Sequence, residues 1–406
     1  MKGLKVSLVI MAAALLAVGL SGMAYAFHSG GVADCSGCHS MHSPNQGGSY
    51  LLKASDSSSA CLNCHQVTGL VIPEGYHVST AETNLVAGQG PFQRNPAGDF
   101  AWLKKTYTWI DRDGVNQAEE GATHGHNIKA FDYNYAEDPR TSPGGSYSGS
   151  NLGCSSCHDP HGGGRRMTGG FGTNGAPIVG SGSYNNVVDP IPANQAVGLY
   201  RLLGYPGYSK VNFGAWPIAL APRSIYNRSE TTAALQVRVA YANNGLDTWG
   251  AWCGTCHGAM HNGAGKRHPV DVQLGTTIAD NYNKYVSSGV MTGAQATAFS
   301  SLVPFAKKNA TFGTLKTLAD NTSTNLNGPT DTDEVTCFSC HRPHASGWKN
   351  ALRWDSEETM ITNSTPAYTL SNGRLVGDVT AAYYDRPATM FGAFQRNLCN
   401  KCHAKD

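Results

Sequence analysis

Cys154-Ser155-Ser156-Cys157-His158-Asp159-Pro160-His161 is the stretch that decides how this chain is built. Two cysteines three positions apart, followed at once by histidine, are the C-x-x-C-H signal for covalent haem attachment. The spacing has a chemical reason. Two thiols so placed can form thioethers to the two vinyl groups on one edge of a porphyrin, and the next residue then points its imidazole at the iron from one face. The pentapeptide occurs five more times, beginning at Cys35, Cys61, Cys253, Cys337 and Cys399.

Together the six motifs use all 12 cysteines. The haem-attachment residues are therefore Cys35, Cys38, Cys61, Cys64, Cys154, Cys157, Cys253, Cys256, Cys337, Cys340, Cys399 and Cys402. The proximal axial ligands are His39, His65, His158, His257, His341 and His403. An even cysteine count in an exported chain also suits a disulfide scaffold, and zinc sites use C-x-x-C. Neither requires histidine directly after the second cysteine in every case. Six covalently bound haem c groups are expected.

The remaining histidines set the haem chemistry. They are His28, His42, His77, His124, His126, His161, His261, His268 and His344. Enough are present to give every iron a second imidazole. The distal candidates are His42, His77, His126, His161, His268 and His344, with His28 and His261 as further candidates and His124 ranked below them. Bis-His ligation fills both axial positions, leaves no open site for a substrate, and favours a low potential. A reductase needs an open iron, often flagged by an altered motif such as C-x-x-C-K, and no such motif occurs. The reading is an electron-transfer protein and not an enzyme, with a soluble periplasmic shuttle as the alternative to an assembled conductor.

The first, third and fifth motifs continue as C-H-x-x-H, placing His42, His161 and His344 three residues after a proximal ligand. Three extended residues span at most about 10–11 Å. Ligands on opposite faces of one iron need Cα atoms roughly 12 Å apart, with ~2 Å for each metal–nitrogen bond. These histidines therefore cannot serve the haem of their own motif, and each must serve a neighbour. That requirement brings the haems into close contact.

Around this framework the chain is Gly-rich and weakly charged: 48 of 406 residues are Gly, and charged residues are 14%, against about 25% in ordinary domains. Such a sequence makes few long helices or strands. The expected fold is mostly irregular loop with short α-helices, a protein sheath around an extended haem stack. Weak helical periodicity appears over 230–243 and 278–288, with a further stretch at 293–302. The segments 141–150 and 162–182 read as Gly/Ser-rich loops, and short helical turns should carry the motifs. Folding should depend on haem attachment, as metal-ligand domains fold only with their metal.

The N-terminus reads as a secretory signal peptide over residues 1–26. Lys2 and Lys5 precede an apolar run, and Ala24-Tyr25-Ala26 is an A-x-A cleavage pattern. Residues 27–406 are expected to form one hexahaem domain with no transmembrane segment. Removing the leader takes two of the 30 basic side chains and none of the 28 acidic ones. A chain so balanced is not a nucleic-acid binder by charge. Propionates then dominate the electrostatics: by formal counting six bis-His haems bring the holoprotein to about −6 oxidised and about −12 reduced.

The motifs and their surroundings resemble a known family. "FHSGGVADCSGCHSMH" from Phe27, "CLNCHQ", "KKTYTW", "GHNI", "CSSCHDPHG", "YNRSE", "RHP", "CHRPHASG", "AAYY" and the final "LCNKCHAKD" occur in order along nearly the whole mature chain. They are similar to the polymerising hexahaem c-type cytochromes of metal-reducing bacteria, which form extracellular nanowires. The resemblance implies bis-His ligation of all six haems and head-to-tail assembly into a homopolymeric filament. It also implies that His42 ligates a haem of the adjacent subunit. Extracellular localisation reached through the periplasm follows, with periplasmic cytochromes among the electron donors and extracellular metal oxides among the acceptors.

Overall fold

The computed structural model describes residues 35–40, 51–67, 76–172, 176–204, 217–222, 237–262, 268–319, 325–364 and 367–404. Regular structure is sparse and short. The helices are α1 (Cys35–Cys38), α2 (Ser57–His65), α3 (Trp249–Gly254), α4 (Gly258–Asn262), α5 (Gly275–Lys284), α6 (Phe312–Leu318) and α7 (Val376–Ala382), joined by many single 3-10 turns.

Among the described residues strands pair only in small ribbons. β1 (Gln66–Val67) runs parallel to β2 (Ser79–Thr80), and β3 (Tyr107–Ile110) forms a hairpin with β4 (Asn116–Glu119). β5 (Arg165–Met167) lies between β6 (Gly170–Gly172) and β7 (Val197–Gly198). β9 (Ala240–Asn243) lies between β8 (Ile218–Leu220) and β10 (Ala306–Lys308).

The six haem motifs sit on short helical turns, and capping explains why they start where they do. Asp56 accepts the Ser59 amide at 2.8 Å before α2, and Thr248 accepts the Ala251 amide at 3.0 Å before α3. Thr336 and Asn397 accept the amides of Phe338 and Cys399 before motifs 5 and 6, both at 3.1 Å. Each cap satisfies an amide that the helical turn leaves without an internal partner.

The expectations for regular structure fare unevenly. The 278–288 periodicity corresponds to α5, which starts earlier and ends at Lys284. The 293–302 stretch holds only a 3-10 turn, Gln295–Thr297. Residues 240–243 form strand β9 and not helix, buried at every position between two partners; 230–236 lie outside the described residues. The 162–182 loop contains the β5–β6 hairpin, turned at Thr168 and Gly169, the latter with positive φ.

Apolar packing is divided into separate clusters, and haem-motif cysteines border several of them. Cys340 and Cys402 abut the cluster of Trp102, Trp348, Trp354 and Tyr383. Cys154 abuts Leu62, Phe100 and Tyr135, and Cys157 and Cys253 flank Leu199 and Trp252. Among the described residues the protein packs around its cysteine motifs, and no single sheet or helix layer organises them.

Candidate haem sites

Within each motif the backbone closes into one helical turn. The amides of His39, His158, His257, His341 and His403 donate to the carbonyl of the first cysteine of their own motif, at 2.8–3.0 Å. This i to i−4 bond keeps both sulfurs on one side of the turn and projects the imidazole beyond them. No two of the 12 cysteines are joined by a disulfide, and none is fully buried.

The structure next brings imidazoles from different motifs to about 6 Å of one another. His39 and His161 stand 6.3 Å apart between ring centroids with planes at 18°. His158 and His344 are 6.2 Å apart at 64°, His126 and His257 6.0 Å at 40°, and His268 and His403 6.0 Å at 83°. Two metal–nitrogen bonds of ~2 Å, with roughly 1 Å from each nitrogen to its ring centre, give about 6 Å for two imidazoles sharing one metal. Each pair joins a proximal histidine of one motif to a distal candidate from elsewhere in the chain.

The other ring nitrogen fixes the tautomer. Nδ1 of His65 points at the Tyr76 carbonyl (2.6 Å), of His158 at Arg201 (2.7 Å), of His257 at Pro143 and of His341 at Asn350 (both 2.8 Å). His126 and His268 do the same with Pro343 and Pro269. A carbonyl only accepts, so Nδ1 carries the hydrogen and Nε2 keeps its lone pair for a metal. Burial pushes His344 down to about 3 and His126 below its usual value, so both stay neutral. This donor set fits haem iron.

His126 and His344 are tied together. The His126 amide donates to the His344 carbonyl at 2.9 Å, and the His344 amide to Ala97 at 2.8 Å. Gly125 permits this approach, because a Cβ there would lie 2.2 Å from the His344 oxygen. The candidates for the third and fourth irons therefore move as one unit.

The cysteines show the order of the motifs in space. Cys38 lies within electrostatic reach of Cys64, Cys157 of Cys256, and Cys340 of Cys399 and Cys402. Cys61 lies within electrostatic reach of Cys154, and Cys253 of Cys337. Sequence order is thus spatial order. From motif 1 to motif 5, junctions through second cysteines alternate with junctions through first cysteines.

Other candidates are placed differently. His261 Nε2 points at Asp271 Oδ2, 3.1 Å away, and that carboxylate also accepts from Thr248 and Gly250. His124 is fully buried, its Nδ1 on the Trp102 carbonyl (2.9 Å) and its Nε2 on Glu119 (2.7 Å), which also binds Arg374. Both rings have each nitrogen or the outer nitrogen engaged by an acceptor, which the sequence did not reveal. His77 is buried beside motif 2, where the Val78 amide donates to the His65 carbonyl and Tyr76 sets its ring edge-on to His65 at 5.9 Å. His28, His42 and residues 1–26, read above as a signal peptide, lie outside the described residues. Among the described residues no helix is long and apolar enough to cross a membrane.

Short helical turns presenting paired thiols, with imidazoles facing each other between them, define a c-type cytochrome that binds haem c covalently. No protein-family model matches the chain. It is 46% identical, over the full length of both chains, to the C-type cytochrome OmcS of Geobacter sulfurreducens. Two solved structures also match: the cryo-EM structure of OmcS nanowires from G. sulfurreducens, at 44% identity, and an outer membrane cytochrome S filament from the same organism, at 45%. Both have a TM-score of 0.83, covering 94% of this chain and 100% of the other. The chain belongs to the OmcS family of c-type cytochromes.

Proposed function

We propose that this chain is the subunit of an extracellular filament that conducts electrons through six bis-His haems c. The four facing imidazole pairs carry the reading. When bound, the haems supply one-electron exchange at iron; the polypeptide's work is to hold, orient and enclose them. His161 serves the iron of His39, His344 that of His158, His126 that of His257 and His268 that of His403. His77 and His28 are the candidates for the iron of His65.

A rule links the odd motifs. The second histidine of motif 3 completes motif 1, and that of motif 5 completes motif 3. Carried one step further, His42 of motif 1 completes motif 5, at His341, of the next subunit. Head-to-tail assembly then becomes part of iron ligation; the matched solved structures are themselves filaments. Residues 1–26 direct export, and residues 27–406 form the hexahaem unit. Periplasmic cytochromes supply electrons, and extracellular metal oxides receive them.

His42→Ala tests the reading. The variant should carry six haems, one with an open or exchanged sixth position, and should form no filaments. Normal filaments with every haem low-spin would overturn it.

A further inference from the structure

The junction between motifs 2 and 3 is built differently from its counterpart between motifs 4 and 5. At the latter, Phe338 packs on Trp249 with ring centroids 5.0 Å apart. At the former the contact is made by serines and a glycine. Ser58, 1% exposed at the start of α2, accepts the Cys154 amide at 3.0 Å. Ser57 Oγ and Ser155 Oγ are 3.2 Å apart. Gly153, just before motif 3, leaves room for this contact: a Cβ there would lie 2.6 Å from Ser58 Oγ. The first turn of motif 3 thus rests on the first turn of α2, with Cys61 and Cys154 side by side.

We propose that Ser57, Ser58 and Gly153 are positioning residues that fix the separation between the haem edges carried by motifs 2 and 3. The inference rests on the haem reading above and adds which side chains set one particular gap. Each motif's thioethers tie a porphyrin edge to its two sulfurs. A shift of motif 3 on α2 therefore shifts one porphyrin edge against the other. Electron exchange between such edges weakens steeply with distance. The hydroxyl contacts hold the gap at its closed value, and the missing Cβ at Gly153 allows it to close.

The test is Gly153→Ala in the full-length holoprotein, with Ser58→Ala and the double variant beside it. Haem content is measured by pyridine haemochrome and ligation by the low-spin spectrum. Haem–haem geometry is read from the Soret circular-dichroism couplet on dispersed subunits, and electron passage from filament conductance. Gly153→Ala should keep six low-spin haems yet reduce the couplet and the conductance. Adding Ser58→Ala removes the atom that the new methyl meets and should restore part of the loss, a coupling that separate, merely stabilising residues would not show. Unchanged couplet and conductance in Gly153→Ala would overturn the proposal, as would a loss that the double variant leaves untouched. If Gly153→Ala fails to load haem, Ser57→Ala, which removes only the 3.2 Å hydroxyl contact, decides by the same readouts. Wild-type protein with fewer than six haems, or with an open iron in the assembled filament, would overturn the haem reading itself, whatever the variants do.

Discussion

His161 stands over His39 with ring planes 18° apart and centroids 6.3 Å apart, although its own motif belongs to His158. The ring that follows motif 3 has been passed to motif 1. Asp159 makes the handover possible: its carboxylate accepts the amides of His161 (2.9 Å) and Gly163 (2.6 Å), turning the chain sharply after His158. The ring proposed for the first iron is thus held by a turn, not by a helix.

His161→Ala should leave all the thioethers intact and open one iron. The expected outcome is a minority high-spin component that binds carbon monoxide, amounting to one haem. His261→Ala, whose ring points at Asp271, should add no such component. Absorption and electron paramagnetic resonance spectra check both; an entirely low-spin His161→Ala protein would count against the pairing.

Much of this was legible in the sequence because the chemistry is local. C-x-x-C-H fits inside one helical turn, so its spacing shows the attachment site directly. The argument that C-H-x-x-H cannot close on its own iron needed only chain reach. Which partner each ring meets was not legible, because His126 and His344 are joined by backbone contacts far apart in sequence. His124 illustrates the same limit. Nothing near it in sequence announces Arg374, which completes its buried ion-pair network through Glu119. Residues 240–243 misled for a different reason: a strand buried between two partners reads as a plain apolar run, without the alternation that marks a half-buried strand.

His124→Ala should destabilise the protein by roughly 3 kcal/mol, because it leaves the Trp102 carbonyl and part of the Glu119 carboxylate buried without a donor. The two acceptors lie 2.9 and 2.7 Å from the ring nitrogens. The haem spectrum should not change. Denaturant titration of the holoprotein checks this, and a shift in the spectrum instead of the midpoint would make His124 a ligand.

A redox titration should spread over a much wider range than one single-potential curve. Consecutive motifs approach through their cysteines, with Cys61 within electrostatic reach of Cys154 and Cys253 of Cys337. Each electron added to one haem therefore repels the next at short range. Spectroelectrochemical data that fit one Nernst curve would contradict the arrangement.

Lys401 lies inside the last motif and is 6% exposed, with its ammonium 4.0 Å from the Tyr282 ring centre and its Nζ donating to the Tyr282 carbonyl at 3.1 Å. Burial pushes its pKa down to about 8 from an ordinary 10.5. Because the folded value is the lower one, the unfolded chain binds more protons between those limits, and stability rises with pH there. Below pH 8 the folded state bears the full cost of the desolvated charge, up to about 3 kcal/mol. Lys401→Met keeps the aliphatic stem over Tyr282 and removes the charge. It should raise the thermal midpoint at pH 7, with the advantage over wild type shrinking as pH rises from 8 towards 10.5. Thermal unfolding of both holoproteins across that range checks it. A variant less stable than wild type at pH 7 would show that the ammonium's contacts with Tyr282 outweigh its burial.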